Sequence, residues 1–125
     1  MPRSSSQPCT RRLELLAKRV ERQTDLSGAQ HPRRVYVVEL SKAGGSGYGL
    51  PSVYVGQSYL SAEERFQQHL DGYRASRFVR KHGVQLRPDL YEMLPAVATV
   101  PESEELERAV ADILRDCGYT VFGGH

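Results

Sequence analysis

From Thr10 onward, apolar residues return at helical spacing. Leu13, Leu16, Ala17 and Val20 recur with Arg, Lys and Glu between them, which predicts an amphipathic helix of about four turns. Its stripe must cover something, either the domain's own core or a partner. Residues 1–9, rich in Ser, Pro and Gln, read as a mobile lead-in, and 26–30 as a linker. The period then changes. Val35-Tyr36-Val37-Val38-Glu39-Leu40 and Val53-Tyr54-Val55-Gly56 are β-branched and aromatic, hence strands. The glycine-rich stretch 44–49 leads into the second strand rather than a helix. It therefore reads as a flexible connection, not a nucleotide-phosphate loop.

Ser61-Ala62-Glu63-Glu64 has the form of a capping box, so a helix should start there, with Ala62, Phe66 and Leu70 inward. A short helix from Ser76 to His82 should stop at Gly83 in a left-handed turn. An extended piece follows within 84–94, broken by Pro88. The final helix should run from about Glu102 to Cys117, with Leu106, Ala109, Val110, Ile113 and Leu114 as its buried stripe. The tail 119–122 reads as a short extended return. The order predicts an α+β fold with a small mixed or antiparallel three-stranded sheet flanked by helices, plus the N-terminal helix. Residues 1–30 form the lead-in and helix, and 31–125 the domain proper.

At 125 residues and 39% hydrophobic composition, one modest core is expected. No stretch approaches the roughly 20 apolar residues that cross a bilayer. Met1-Pro2-Arg3-Ser4 has no apolar run behind it. No membrane partner and a cytoplasmic location are therefore expected. Cys9 and Cys117 form no metal-ligand cluster and read as reduced, structural thiols. Net charge is only +2, but its distribution matters more. Between Arg65 and Arg87 lie Arg74, Arg77, Arg80 and Lys81 against one acid, Asp71. Such a one-signed run makes Arg74, Arg77, Arg80, Lys81 and Arg87 candidates for nucleic-acid contact.

Candidate chemistry is carried by a few side chains. Tyr36 and Tyr54 can reach one pocket if their strands pair. Arg65 and His69 are one helical turn apart and share a face. Glu107 leans toward the buried stripe of the last helix, where an ionised carboxylate requires a metal ion or an arginine.

In this order and spacing, the residues resemble the GIY-YIG nuclease superfamily over about residues 33 to 124. Val35-Tyr36-Val37 resembles its first motif and Tyr54-Val55-Gly56 its second. Arg65 matches the family arginine, His69 a histidine that several members carry, and Glu107 the metal-binding glutamate. The chain departs from the family in having Val35 in place of the first motif's glycine. It also has a longer loop between the tyrosines, and glycines at 123 and 124 where members often place asparagine.

The resemblance implies a metal-dependent endonuclease acting on DNA, with RNA left open as a substrate. One Mg²⁺ or Mn²⁺ ion per site would sit on Glu107, Arg65 would hold the scissile phosphate, and Tyr36, Tyr54 or His69 would accept a proton. A nucleic-acid-binding module on the same scaffold that no longer cuts is the alternative. A third expectation is a protein partner, or a second copy, docked on the N-terminal helix.

Overall fold

The computed structural model describes residues 6–41 and 50–124, with side chains from residue 9. The glycine-rich connection and the first five residues lie outside the described part. The elements in chain order are α1 (Ser6–Gln23), β1 (Arg34–Leu40), β2 (Ser52–Ser58), α2 (Ala62–Asp71), α3 (Arg77–His82), β3 (Gly83–Leu86), α4 (Val100–Asp116) and β4 (Thr120–Gly123). A short 3-10 turn, Pro88–Leu90, links β3 to α4.

The sheet has four strands rather than three, in the order β3-β1-β2-β4. β1 pairs antiparallel with both β2 and β3, while β4 lies parallel to β2. The tail expected only to be extended thus becomes an edge strand, and the sheet is mixed. Alternation along the strands separates two apolar layers. Val35, Val37, Val53 and Val55 join one core with Leu106, Val110, Ala111 and Leu114 of α4. Tyr36, Val38 and Leu40 face the other way, against Val79 of α3 and the partly buried Phe66 of α2.

The stripe of α1 covers the domain's own core. Cys9, Leu13, Leu16 and Ala17 are buried in the same cluster as the sheet valines. Residue 30 therefore marks a change in composition, not a boundary in packing. Both cysteines are free. Burial, and then the neighbouring Cys117, push the Cys9 thiol well above its ordinary range. No described helix is long and apolar enough to cross a membrane.

Two local expectations need correction. Gly83 does not stop α3 in the left-handed region. Its φ is −61°, and it opens β3 directly. Glycine is needed there because a Cβ would lie 2.5 Å from the Val79 carbonyl. On α2, Leu70 is 41% exposed, whereas the neighbouring His69 is 1% exposed. A histidine held by hydrogen bonds at both ring nitrogens has displaced the leucine from the inward face. Elsewhere the caps agree with the sequence. Ser61 and Glu64 close a full capping box on α2, and Thr99 and Glu102 do the same on α4.

Candidate active site

The pairing of β1 with β2 places Tyr36 opposite Gly56 and Val38 opposite Tyr54, so the two phenols are diagonal neighbours. Their ring centroids are 6.4 Å apart. His69 reaches down from α2 between them, 6.1 Å from the Tyr36 ring and 5.7 Å from the Tyr54 ring. The glycine of the second strand explains how Tyr36 fits. A Cβ on Gly56 would stand 2.6 Å from the Tyr36 oxygen and 2.7 Å from its Cζ. Tyr36 thus lies across the bare backbone of its strand partner. Gly56→Ala is expected to push the ring off this seat and to cost about 1–3 kcal/mol by overpacking. A denaturation midpoint unchanged from wild type would show that the contact yields freely.

His69 is fixed at both ends. Its Nδ1 accepts the backbone N–H of Ser76 at 2.9 Å, and its Nε2 lies 2.8 Å from the Tyr36 hydroxyl. A backbone amide can only donate, so Nδ1 carries the lone pair and the neutral ring carries its proton on Nε2. His69 therefore donates to the Tyr36 oxygen in the resting site. In the resting site it does not accept from Tyr36. Burial, and then the positive charge of Arg65, lower its pKa from 6.5 to about 4.

The folded protein resists protonation of His69, so its contribution to stability is full above pH 6.5 and is lost as pH falls toward 4. Wild type is expected to lose up to about 3 kcal/mol across that window. His69→Gln should be less stable at neutral pH but lack this part of the slope. Urea titrations at several pH values read both, and parallel slopes would contradict the assignment.

Arg65 sits half-buried on the same helix. One terminal nitrogen donates to the Gln68 side chain at 2.9 Å and to the Tyr73 carbonyl at 3.3 Å. The other donates to the Arg74 carbonyl at 2.7 Å. Three of the five guanidinium protons are thereby committed, which leaves two for a ligand or for the phenols. Burial holds the Tyr36 phenol above its ordinary range, and the charge and a hydrogen bond of Arg65 oppose that rise.

Glu107 comes from α4, on the other side of the sheet, and is 3% exposed. It lies close enough that its charge raises the pKa of both Tyr36 and Tyr54. One turn earlier, the Ser103 hydroxyl donates to Gln57 Oε1 at 3.0 Å, tying α4 to the residue beside Gly56. That bond holds α4 against β2 one turn before Glu107. Burial is the largest influence on both phenols and raises them. For Tyr36 the neighbouring Tyr54 is next, and Arg65 opposes. For Tyr54 the rise from Glu107 is opposed by a hydrogen bond from Ser76 and by Arg65. Both tyrosines are therefore neutral at physiological pH in the resting protein.

Tyr36, Tyr54, Arg65 and His69 thus come together from β1, β2 and α2, and Glu107 of α4 is near enough for its charge to bear on both phenols. The site is closed rather than open, with Tyr54 and Arg65 half-buried and the other three buried. Among the described residues, no group of three or more His, Cys, Asp or Glu stands together as a metal cage. Arg74, Arg77, Arg80 and Lys81 are exposed around the α2–α3 turn.

Arg87 stands apart from them. It forks onto Asp89 at 3.0 and 2.9 Å, lies 3.6 Å from Glu39 and covers the Tyr119 ring. The hydrogen bonds to Asp89 come first among the causes that hold its pKa far above the usual value. Its visible work is to pin the 3-10 turn to the sheet.

Ser76, Gln68, Gln57 and Ser103 were not singled out by the sequence as site residues. Ser76 caps α3 while its backbone orients His69. A helix-capping serine seven residues after the histidine was the one available signal. At the tail, Gly123 and Gly124 have φ of 74° and 69°. A Cβ on Gly124 would meet that of Ala111 at 2.5 Å. This packing leaves no room for an asparagine side chain at 124.

No protein-family model matches the chain, and neither a curated protein nor a solved structure does.

Proposed function

We propose that the chain is a metal-dependent endonuclease of the GIY-YIG type, hydrolysing phosphodiester bonds in DNA at the site built by Tyr36, Tyr54, Arg65, His69 and Glu107. The observation that carries the reading is the meeting of two phenols and one guanidinium, with the charge of one buried carboxylate bearing on both phenols. Each is common alone, but together they supply what phosphodiester hydrolysis requires: fixed positive charge and a proton acceptor beside it.

The two Arg65 N–H groups not given to Gln68, Tyr73 and Arg74 lie toward Tyr36, where an entering phosphate would take both in place of the phenol. The other three hydrogen bonds of Arg65 hold the guanidinium in place beforehand, so little freedom is lost on binding. His69, donating from Nε2, orients the Tyr36 hydroxyl and leaves that tyrosine's own proton directed elsewhere. With its own proton lost to solvent, as nearby positive charge would favour, the Tyr36 oxygen can accept a proton from the attacking water. Tyr54, held by Ser76, borders the same space and serves as the second candidate for that role.

The donor set is compatible with a hard cation. It offers one carboxylate and two phenol oxygens, with no sulfur. Mg²⁺ keeps most of its waters, so a single protein carboxylate suffices beside a phosphate. Glu107 would hold the ion, and Mn²⁺ fits the same donors. Bound there, the ion supplies positive charge to the phosphate oxygens and offsets the negative field that Glu107 casts on both phenols.

Incubation of the purified protein with supercoiled plasmid tests the reading. Nicking with Mg²⁺ or Mn²⁺, and none with chelator, is expected. Retarded but uncut DNA across several divalent ions would favour a binding module instead.

A further inference from the structure

The turn between α2 and α3 holds features that the proposed chemistry does not use. Gly72 closes α2 in the left-handed region, and two residues later Arg74 is also left-handed, with φ 45°. A non-glycine residue there is strained and persists only when its surroundings enforce it. Two site residues do so: Arg65 binds the carbonyls of Tyr73 and Arg74, and His69 binds the amide of Ser76. The enforced turn presents Tyr73 outward at 57% exposure, with the Arg74 guanidinium 5.6 Å from its ring centroid. Beside it, Gly72, Ala75, Arg77, Arg80 and Lys81 line a depression of about 520 Å³.

A large exposed aromatic ring and a pocket of three cations thus share one short turn, tied by the side chain proposed to grip the scissile phosphate. We infer that Tyr73 is a stacking platform for an unpaired base of the substrate strand, with a neighbouring phosphate of that strand in the Arg77–Arg80–Lys81 depression. Arg74 covers one side of the ring, and a base stacks on the open side. A base within a duplex already has both faces covered by its neighbours, so this platform selects a single-stranded segment next to the cleaved bond. Aromatic stacking together with backbone charge is how unpaired strands are commonly held. The inference rests on the nucleic-acid part of the reading above and adds the class of substrate.

The test is a binding measurement in chelator, where no cleavage is needed. A short oligonucleotide carrying one fluorescent aminopurine is titrated with wild type, Tyr73→Ala and Tyr73→Phe. The expected result is quenching by wild type and Tyr73→Phe. Tyr73→Ala should lose the quenching and bind roughly fivefold to a hundredfold more weakly. The matching duplex should bind equally to all three. Unchanged single-strand binding by Tyr73→Ala, or an equal loss on the duplex, overturns the inference. Quenching without cleavage when Mg²⁺ is restored overturns the nuclease reading and leaves the platform standing.

Discussion

Glu107→Gln is expected to slow plasmid nicking by at least about a thousandfold while leaving the far-ultraviolet circular dichroism of wild type. Glutamine keeps the shape of the side chain and one acceptor oxygen, but removes the charge that would hold a divalent ion. The carboxylate is buried, and its charge is felt by both Tyr36 and Tyr54. Its loss should therefore also lower the phenol pKa values, which ultraviolet titration reads separately from activity. Arg65→Ala should slow cleavage about a hundredfold to a thousandfold. Arg65→Lys should not restore it, because an ammonium cannot hold the Gln68, Tyr73 and Arg74 oxygens and also fork onto a phosphate. Activity within tenfold of wild type in either Glu107→Gln or Arg65→Ala would remove that residue from the site.

A chain beginning at residue 25 is expected not to fold. The removed helix contributes Cys9, Leu13, Leu16 and Ala17 to the main core, with Leu13 fully buried. Each leucine is worth about 2–3 kcal/mol of burial, and their removal also uncovers apolar surface on α4. Those losses approach the roughly 5–15 kcal/mol that a domain of this kind has in total. Leu13→Ala alone should cost about 2–5 kcal/mol, read as a lower thermal midpoint. A cooperative melt from the truncated chain would show that α1 only decorates the fold. The same packing bears on the idea of a partner docked on α1. Its apolar stripe is spent internally, and Leu15, 52% exposed, is the large apolar residue left on its outer face.

Much of this arrangement was legible along the chain because it depends on local pattern. The β-branched runs gave β1 and β2, and the Ser61–Glu64 box gave the start of α2. β4 was harder, since its four residues become a strand only by lying parallel to β2, far away in sequence. The inward face of α2 was misplaced by one residue because hydrophobicity favours Leu70. What buries His69 is a hydrogen bond to Tyr36 on β1 and another to the Ser76 backbone.

The five residues of the proposed site were suggested by residue type and spacing, but the side chains around them were not. Ser103, Gln57, Gln68 and Ser76 act through contacts between elements or across a turn, and single serines and glutamines carry no signal for that. At Arg87 the basic run carried no sign of the ion pairs with Asp89 and Glu39.

In the proposed site a cation on Glu107 and a phosphate on Arg65 meet between the two tyrosines. A crystal of the wild-type protein with Mn²⁺ and an uncleavable phosphorothioate strand tests this most directly. An anomalous peak is expected at Glu107 Oε, with the phosphorothioate group between that peak and the Arg65 guanidinium. Manganese bound elsewhere, with the strand lying away from Tyr36 and Tyr54, would contradict it.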